Sequence, residues 1–159
     1  MTNHCGECSA CCNVFNVPEI KKPAGKWCPS CAIGKGCKVY DTRPKMCRDF
    51  QCLWLLSQEP GRPHLPPELR PDRCRIVFSP STNERVMAGT ILPNSPGALD
   101  RKGVRELIET FVGGDVKIVL GTPLSTERVM LDRDGAHPVR MTEPDDTGMQ
   151  WSIPDPREG

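Results

Sequence analysis

The sequence predicts an α+β protein of two unlike parts: a small cysteine-rich N-terminal region, then a ββαββ module with one helix on an antiparallel sheet. Three observations carry this reading. Nine of the ten cysteines fall between Cys5 and Cys52. A proline-rich stretch follows at 59–73, and beyond it the apolar residues take up strand and helix periods.

Residues 1–58 form the first part. They show little hydrophobic periodicity, and the whole chain of 159 residues is only 37% hydrophobic and 5% aromatic, a poor supply for one large apolar core. Something other than apolar burial is expected to hold this part together. Residues 59–73 carry Pro60, Pro63, Pro66, Pro67 and Pro71 and read as a linker unable to sustain a long helix or a central strand.

The module spans 74–142. Residues 74–78 alternate as a strand, as do 85–92, with a turn at 81–84 between them. Ser95 and Pro96 read as N-cap and first residue of a helix. Its buried face is Val104, Leu107, Ile108 and Phe111, and Gly113 with Gly114 stops it. A third strand is expected at 116–120, a strand entering a turn at 128–135, and a return at 139–141. The tail at 143–159, acidic and proline-rich, is expected to be disordered, with Trp151 and Ile153 as the residues able to dock.

Charge and signals narrow the function classes. A formal charge of +1 offers no broad basic field for nucleic acid, and no apolar run reaches membrane-spanning length. The residues from Met1 to Gly6 lack a basic stretch followed by an apolar one, so a reducing, cytoplasmic compartment is expected. In that setting clustered cysteines are metal ligands or redox thiols more often than disulfides.

The cysteines run Cys5-x2-Cys8-x2-Cys11-Cys12, then Cys28-x2-Cys31, Cys37, Cys47 and Cys52. A C-x2-C pair aims two sulfurs at one centre from a short loop, and repeated pairs within about fifty residues make metal the best reading. Zinc takes four thiolates readily, and iron–sulfur clusters ask for the same soft donors. Both remain open. The Cys5, Cys8, Cys11 run agrees with the first three ligands of a bacterial ferredoxin, with Cys28-Pro29 as the remote Cys-Pro, but Cys12 directly after Cys11 departs from it. Adjacent Cys11 and Cys12 are expected to diverge and serve two centres or a bridge. Eight thiolates suit two Cys₄ sites, and nine suit a three-zinc cluster.

Around these cysteines the sequence resembles the bacterial cysteine-cluster family named for its CxxCxxCC motif and described as zinc- or iron-chelating. The resemblance is carried by Cys5, Cys8, Cys11 and Cys12, by Cys28-Pro29, and by Gly36-Cys37 followed by Tyr40-x2-Arg43-Pro44-x2-Cys47-Arg48-x-Phe50-x-Cys52. It covers about the first third of the chain. It implies ligand roles for Cys5, Cys8, Cys11, Cys12, Cys28, Cys37, Cys47 and Cys52. Cys31 lies outside the family's usual set; its knuckle spacing to Cys28 adds it as the ninth candidate ligand. One branch, the flagellin lysine methylases, carries a similar cluster in a larger enzyme.

Arg43, Arg48 and Lys38 are placed in sequence to offset thiolate charge, and Trp27, Tyr40, Phe50, Leu53 and Trp54 to cap the cluster with apolar surface. Weaker candidates resolve to ordinary roles. His4 could replace one thiolate, while His64 and His137 read as exposed. Cys74 reads as a small buried thiol, Gly113-Gly114-Asp115 as a helix stop, and Asp132, Asp134 and Glu143 as turn chemistry without calcium-loop spacing. No nucleophile–base pair is apparent. The function expected is metal binding through cysteine thiolates, with metal ions as the partners and a protein partner open. The rivals are a cluster supporting redox or methyl-transfer chemistry, and a zinc-shaped interaction module.

Overall fold

A computed structural model of the chain describes residues 7–81 and 85–142, and the backbone of 152–154. The N-terminal part is built from very short elements. Helix α1 spans Cys11–Val14, and a 3-10 turn covers Pro18–Ile20. Strands β1 (Cys31–Ala32) and β2 (Gly36–Cys37) pair antiparallel, Cys31 opposite Cys37. Helices α2 (Lys45–Asp49) and α3 (Leu53–Ser57) follow. Each has five residues, too few for a helix that persists without tertiary support.

The proline-rich stretch carries two short helical turns, each opened by proline, which needs no N–H partner at that position. They are a 3-10 turn at Pro67–Leu69 and α4 at Pro71–Cys74. Leu69 is buried in the core of the module. Cys74, expected to open a strand, instead closes α4, because Arg75 takes a left-handed conformation with φ 67° and ends the helix there. Cys74 is nevertheless a buried thiol beside Ile76 and Phe78, its Sγ donating to the carbonyls of Leu69 and Ile76.

The module proper is α+β, as the sequence predicts. Its strands are β3 (Ile76–Pro80), β4 (Val86–Ile91), β5 (Lys117–Gly121), β6 (Glu127–Asp132), β7 (Gly135–Met141) and β8 (Ser152–Pro154), neighbours in that order. Helix α5 (Lys102–Gly113) lies between β4 and β5 in sequence. The sheet is mixed rather than antiparallel throughout: β4 and β5 run parallel, Ala88 opposite Val119, while the other neighbours are antiparallel. A helical crossover returns the chain in its starting direction, whereas an antiparallel pair is the product of a hairpin. Tail residues 152–154 extend the sheet along β7; Trp151 and the rest of 143–159 lie outside the described residues.

Helix α5 begins at Lys102, later than Ser95 and Pro96 suggest. Ser95 Oγ accepts instead from Arg75 Nε at 2.9 Å, and Gly97 at φ 80° caps a separate 3-10 turn at Ala98–Asp100 before α5 begins. The expected apolar face holds: Val104 is buried, and Leu107, Ile108 and Phe111 pack on the same core.

Strand β3 positions everything else. Its side chains alternate between two faces, and both are covered. Ile76 and Phe78 join Met87, Val104, Ile118 and Leu120 beneath α5. Val77 points the other way, into a second cluster with Ala10, Val14, Cys52, Leu55 and Leu92. Through that cluster the cysteine-bearing segments sit on the sheet face opposite α5. Among the described residues no helix is long and apolar enough to cross a membrane.

Candidate metal centre

Four separate segments bring the thiols together. Helix α1 opens with Cys11 and Cys12, after Cys8. The Cys28–Cys31 turn is closed by the Cys31 N–H on the Cys28 carbonyl, 3.0 Å, and tied to α1 by the Cys28 N–H on the Cys12 carbonyl, 3.0 Å. The β1–β2 hairpin presents Cys37 and is pinned to the first segment by the Gly34 N–H on Ser9 Oγ, 3.2 Å. Helix α2 carries Cys47, and Cys52 is the N-cap of α3, its Sγ accepting from the Leu55 N–H at 3.4 Å. All nine described cysteines are free thiols.

Cys8, Cys11, Cys12, Cys28, Cys37 and Cys47 line one cavity of about 410 Å³, walled on its other sides by Phe15, Val17, Ile20, Val39, Tyr40, Met46 and Phe50. A second cavity of about 30 Å³ lies deeper, bounded by Cys8, Cys11, Cys47, Cys52, Leu55 and Val77. Cys8, Cys11, Arg43, Cys47 and Phe50 line both and so form the wall between them. Cys31 lines neither, though burial and the nearby Cys12 raise its thiol pKa. Cys11 lines both cavities and Cys12 only the larger, and Cys11 acts on its neighbour to raise the Cys12 pKa. Successive residues at a helix start lie roughly a quarter turn apart, not on opposite faces as in a strand. Cys5 and His4 fall outside the described residues.

Two residues that the sequence did not single out organise this site. Lys22 is only 3% exposed, and its ammonium donates to the carbonyls of Asn13 and Pro23, each at 3.0 Å, and of Phe15. Burial lowers its pKa, while Cys28, Cys12, Cys47 and Cys11 around it act in the opposite direction. A lysine next to Lys21 and Glu19 reads as surface, so nothing local marks it. Glu19 reaches 26 residues along the chain, its carboxylate accepting from the Lys45 and Met46 N–H groups at 3.2 Å each and holding the start of α2. We expect Glu19→Ala to cost about 0.5–2 kcal/mol, the usual loss for a removed N-terminal cap. Cys47 should then react faster with a disulfide reagent, and an unchanged rate would show that α2 does not depend on Glu19.

The basic residues divide clearly. Arg43 stacks on Tyr40, its guanidinium carbon 3.7 Å from the ring centre, whereas Arg48 and Lys38 are exposed. Of the expected caps, Tyr40 and Phe50 do line the cavity, and Phe50 meets Phe15 at 4.4 Å between ring centres. Trp27 is 39% exposed, Leu53 packs against the module core, and Trp54 packs against both that core and the cluster holding Cys52. His64 is exposed, but His137 is half-buried and bonded to Asp132 Oδ1 at 3.0 Å, correcting the expectation that it is free at the surface. Asp132 also accepts the Asp134 N–H at 2.8 Å, the turn chemistry anticipated.

Burial raises Cys8 and Cys31 from an ordinary 9.0 to about 12, against N–H donation to Cys8 from Ala10 and Asp72 and a hydrogen bond to Cys31 from Ser9. Cys12 is raised by its neighbour Cys11 and by burial, and Cys47 and Cys52 by burial. Without a cation among them these groups are neutral thiols at pH 7.

The donor set suits a soft metal: many sulfurs from separate segments, backbone N–H groups aimed at Cys8 and Cys52, and cationic side chains beside the wall. Among the described residues, no group of three or more His, Cys, Asp or Glu side chains already surrounds one point in the manner of a formed site. An ion would have to draw the thiols closer and displace their protons. Comparison with protein-family models, with curated proteins and with solved structures finds no match to this chain. The resemblance to the CxxCxxCC family rests on the motif residues alone.

Proposed function

We propose that this chain is a metal-binding protein that chelates zinc, or an iron–sulfur centre, through the thiolates of Cys5, Cys8, Cys11, Cys12, Cys28, Cys31, Cys37, Cys47 and Cys52. The observation that carries the reading is the gathering of six thiols from four segments on one cavity, with Cys52 on the next. The short helices and two-residue strands around them bury too little apolar surface to account for such order. A bound metal would supply cross-links between segments, and the neutral thiols would release protons as it enters. A reducing, cytoplasmic compartment suits the reading, since only there do thiols of this density stay free.

The size and apolar lining of the outer cavity favour one second reading, in which the centre supports redox or methyl-transfer chemistry with a partner protein. Elemental analysis and native mass spectrometry of full-length protein purified without oxygen test the first reading. Bound zinc or iron in whole-number ratio supports it, and metal-free, folded protein would overturn it. Visible absorption that bleaches with dithionite would select the redox reading; a colourless zinc protein would remove it. In the same measurement Cys31→Ser should lose metal if nine thiolates are ligands and keep two ions if the eight family positions suffice.

A further inference from the structure

Among the described residues three buried side-chain atoms lack a hydrogen-bond partner: Asn13 Oδ1, Trp54 Nε1 and Arg43 Nε. Only Arg43 carries a charge, and only Arg43 stands on the thiol wall, lining both cavities with Cys8, Cys11 and Cys47. An unmade bond to a buried guanidinium nitrogen is costly, so the position calls for an acceptor. Arg43 Nε exposes almost no surface to solvent, so an anion diffusing in from outside cannot reach it without rearrangement. The acceptor must come from the protein's own neighbouring groups. A neutral thiol accepts weakly; a thiolate accepts strongly from a charged donor.

We propose that Arg43 is a positioning residue for the metal centre, donating its Nε–H to the Cys47 thiolate once a metal has displaced the thiol proton. The inference rests on the metal-binding reading above. Cys47 lies four residues along the chain, on the same wall, and feels the Arg43 charge. Stacking on Tyr40 holds the guanidinium plane, so the donor is fixed in advance of the acceptor. Lys22 cannot take this role, because its three N–H groups already serve the carbonyls of Asn13, Phe15 and Pro23. It acts on the thiolates only through space. Arg48 and Lys38, each adjacent to a cysteine in sequence, are exposed and excluded by position.

The test uses the full chain loaded anaerobically with cobalt(II), whose sulfur-to-metal charge-transfer band reports directly on the thiolates. Arg43→Gln should bind as many ions as wild type, with affinity lowered about 10–100-fold in competition with a chelator. The band should move to longer wavelength, because a sulfur lone pair without its donor lies higher in energy. Arg43→Lys, which keeps the charge and lacks the planar donor, should resemble Arg43→Gln. Full recovery by lysine, or an unchanged affinity and band in Arg43→Gln, would overturn the directed bond. Loss of an ion in Arg43→Gln would also overturn it, showing that Arg43 holds the fold instead. If that variant does not fold, Tyr40→Leu takes its place, with the same band shift expected from a loosened guanidinium and no shift counting against. Wild type that takes up no cobalt would overturn the metal-binding reading itself.

Discussion

Chelation of the metal from the intact protein is expected to unfold the cysteine-bearing part while α5 and the mixed sheet persist. The reason is the distribution of apolar burial. Ile76, Phe78, Met87, Val104, Ile118 and Leu120 form a core that belongs to the module and needs no metal. The first part relies on Ala10, Val14, Cys52 and Leu55 against Val77 and Leu92. Thiolate–metal bonds in small structural zinc sites supply on the order of 10 kcal/mol, more than such a cluster can replace. Amide hydrogen exchange before and after chelation distinguishes the halves. Protection should vanish for residues 8–57 and survive in β3, β4, β5 and α5, with Val77 newly exposed on one face. Protection in the first part that is indifferent to metal would refute the coupling.

Lys22→Met should be the most damaging single substitution outside the cysteines. Methionine fills much of the space but offers no donor, so the partly buried Phe15 and Pro23 carbonyls lose their ammonium partner. The Asn13 carbonyl keeps the Gly25 N–H at 2.9 Å. Net hydrogen bonds from a charged donor contribute roughly 1–3 kcal/mol each, and partial exposure of these carbonyls puts the expected loss at about 1–3 kcal/mol in all. The thiolates lose a nearby positive charge as well. Weaker metal retention should therefore accompany the lower stability, and Lys22→Arg should restore only part of either. Urea unfolding with parallel metal titration would decide; a variant as stable as wild type would show that the three carbonyl bonds contribute nothing.

What could be read along the chain was what each residue's own element dictates. The alternation along 74–78 marked β3, the spacing of Val104, Leu107, Ile108 and Phe111 marked the buried face of α5, and Gly113 with Gly114 marked its end. The crowding of cysteines between Cys5 and Cys52 marked the candidate site, because thiol spacing is itself a local quantity. Partnership was not legible, since it is set by chain closure over long separations. Whether β5 runs parallel or antiparallel to β4 depends on the end of the sheet to which α5 returns the chain. Ser95 looked like a helix cap until Arg75, 20 residues earlier, claimed its hydroxyl. Lys22 and Glu19 looked like surface charge; folding gave one three backbone carbonyls and the other the start of α2. Among Arg43, Arg48 and Lys38 the sequence offered no choice, because each stands near a cysteine. The tertiary structure made it by burying one guanidinium nitrogen against the thiol wall and leaving the other two side chains in water, where a charge is screened and does little work on a sulfur.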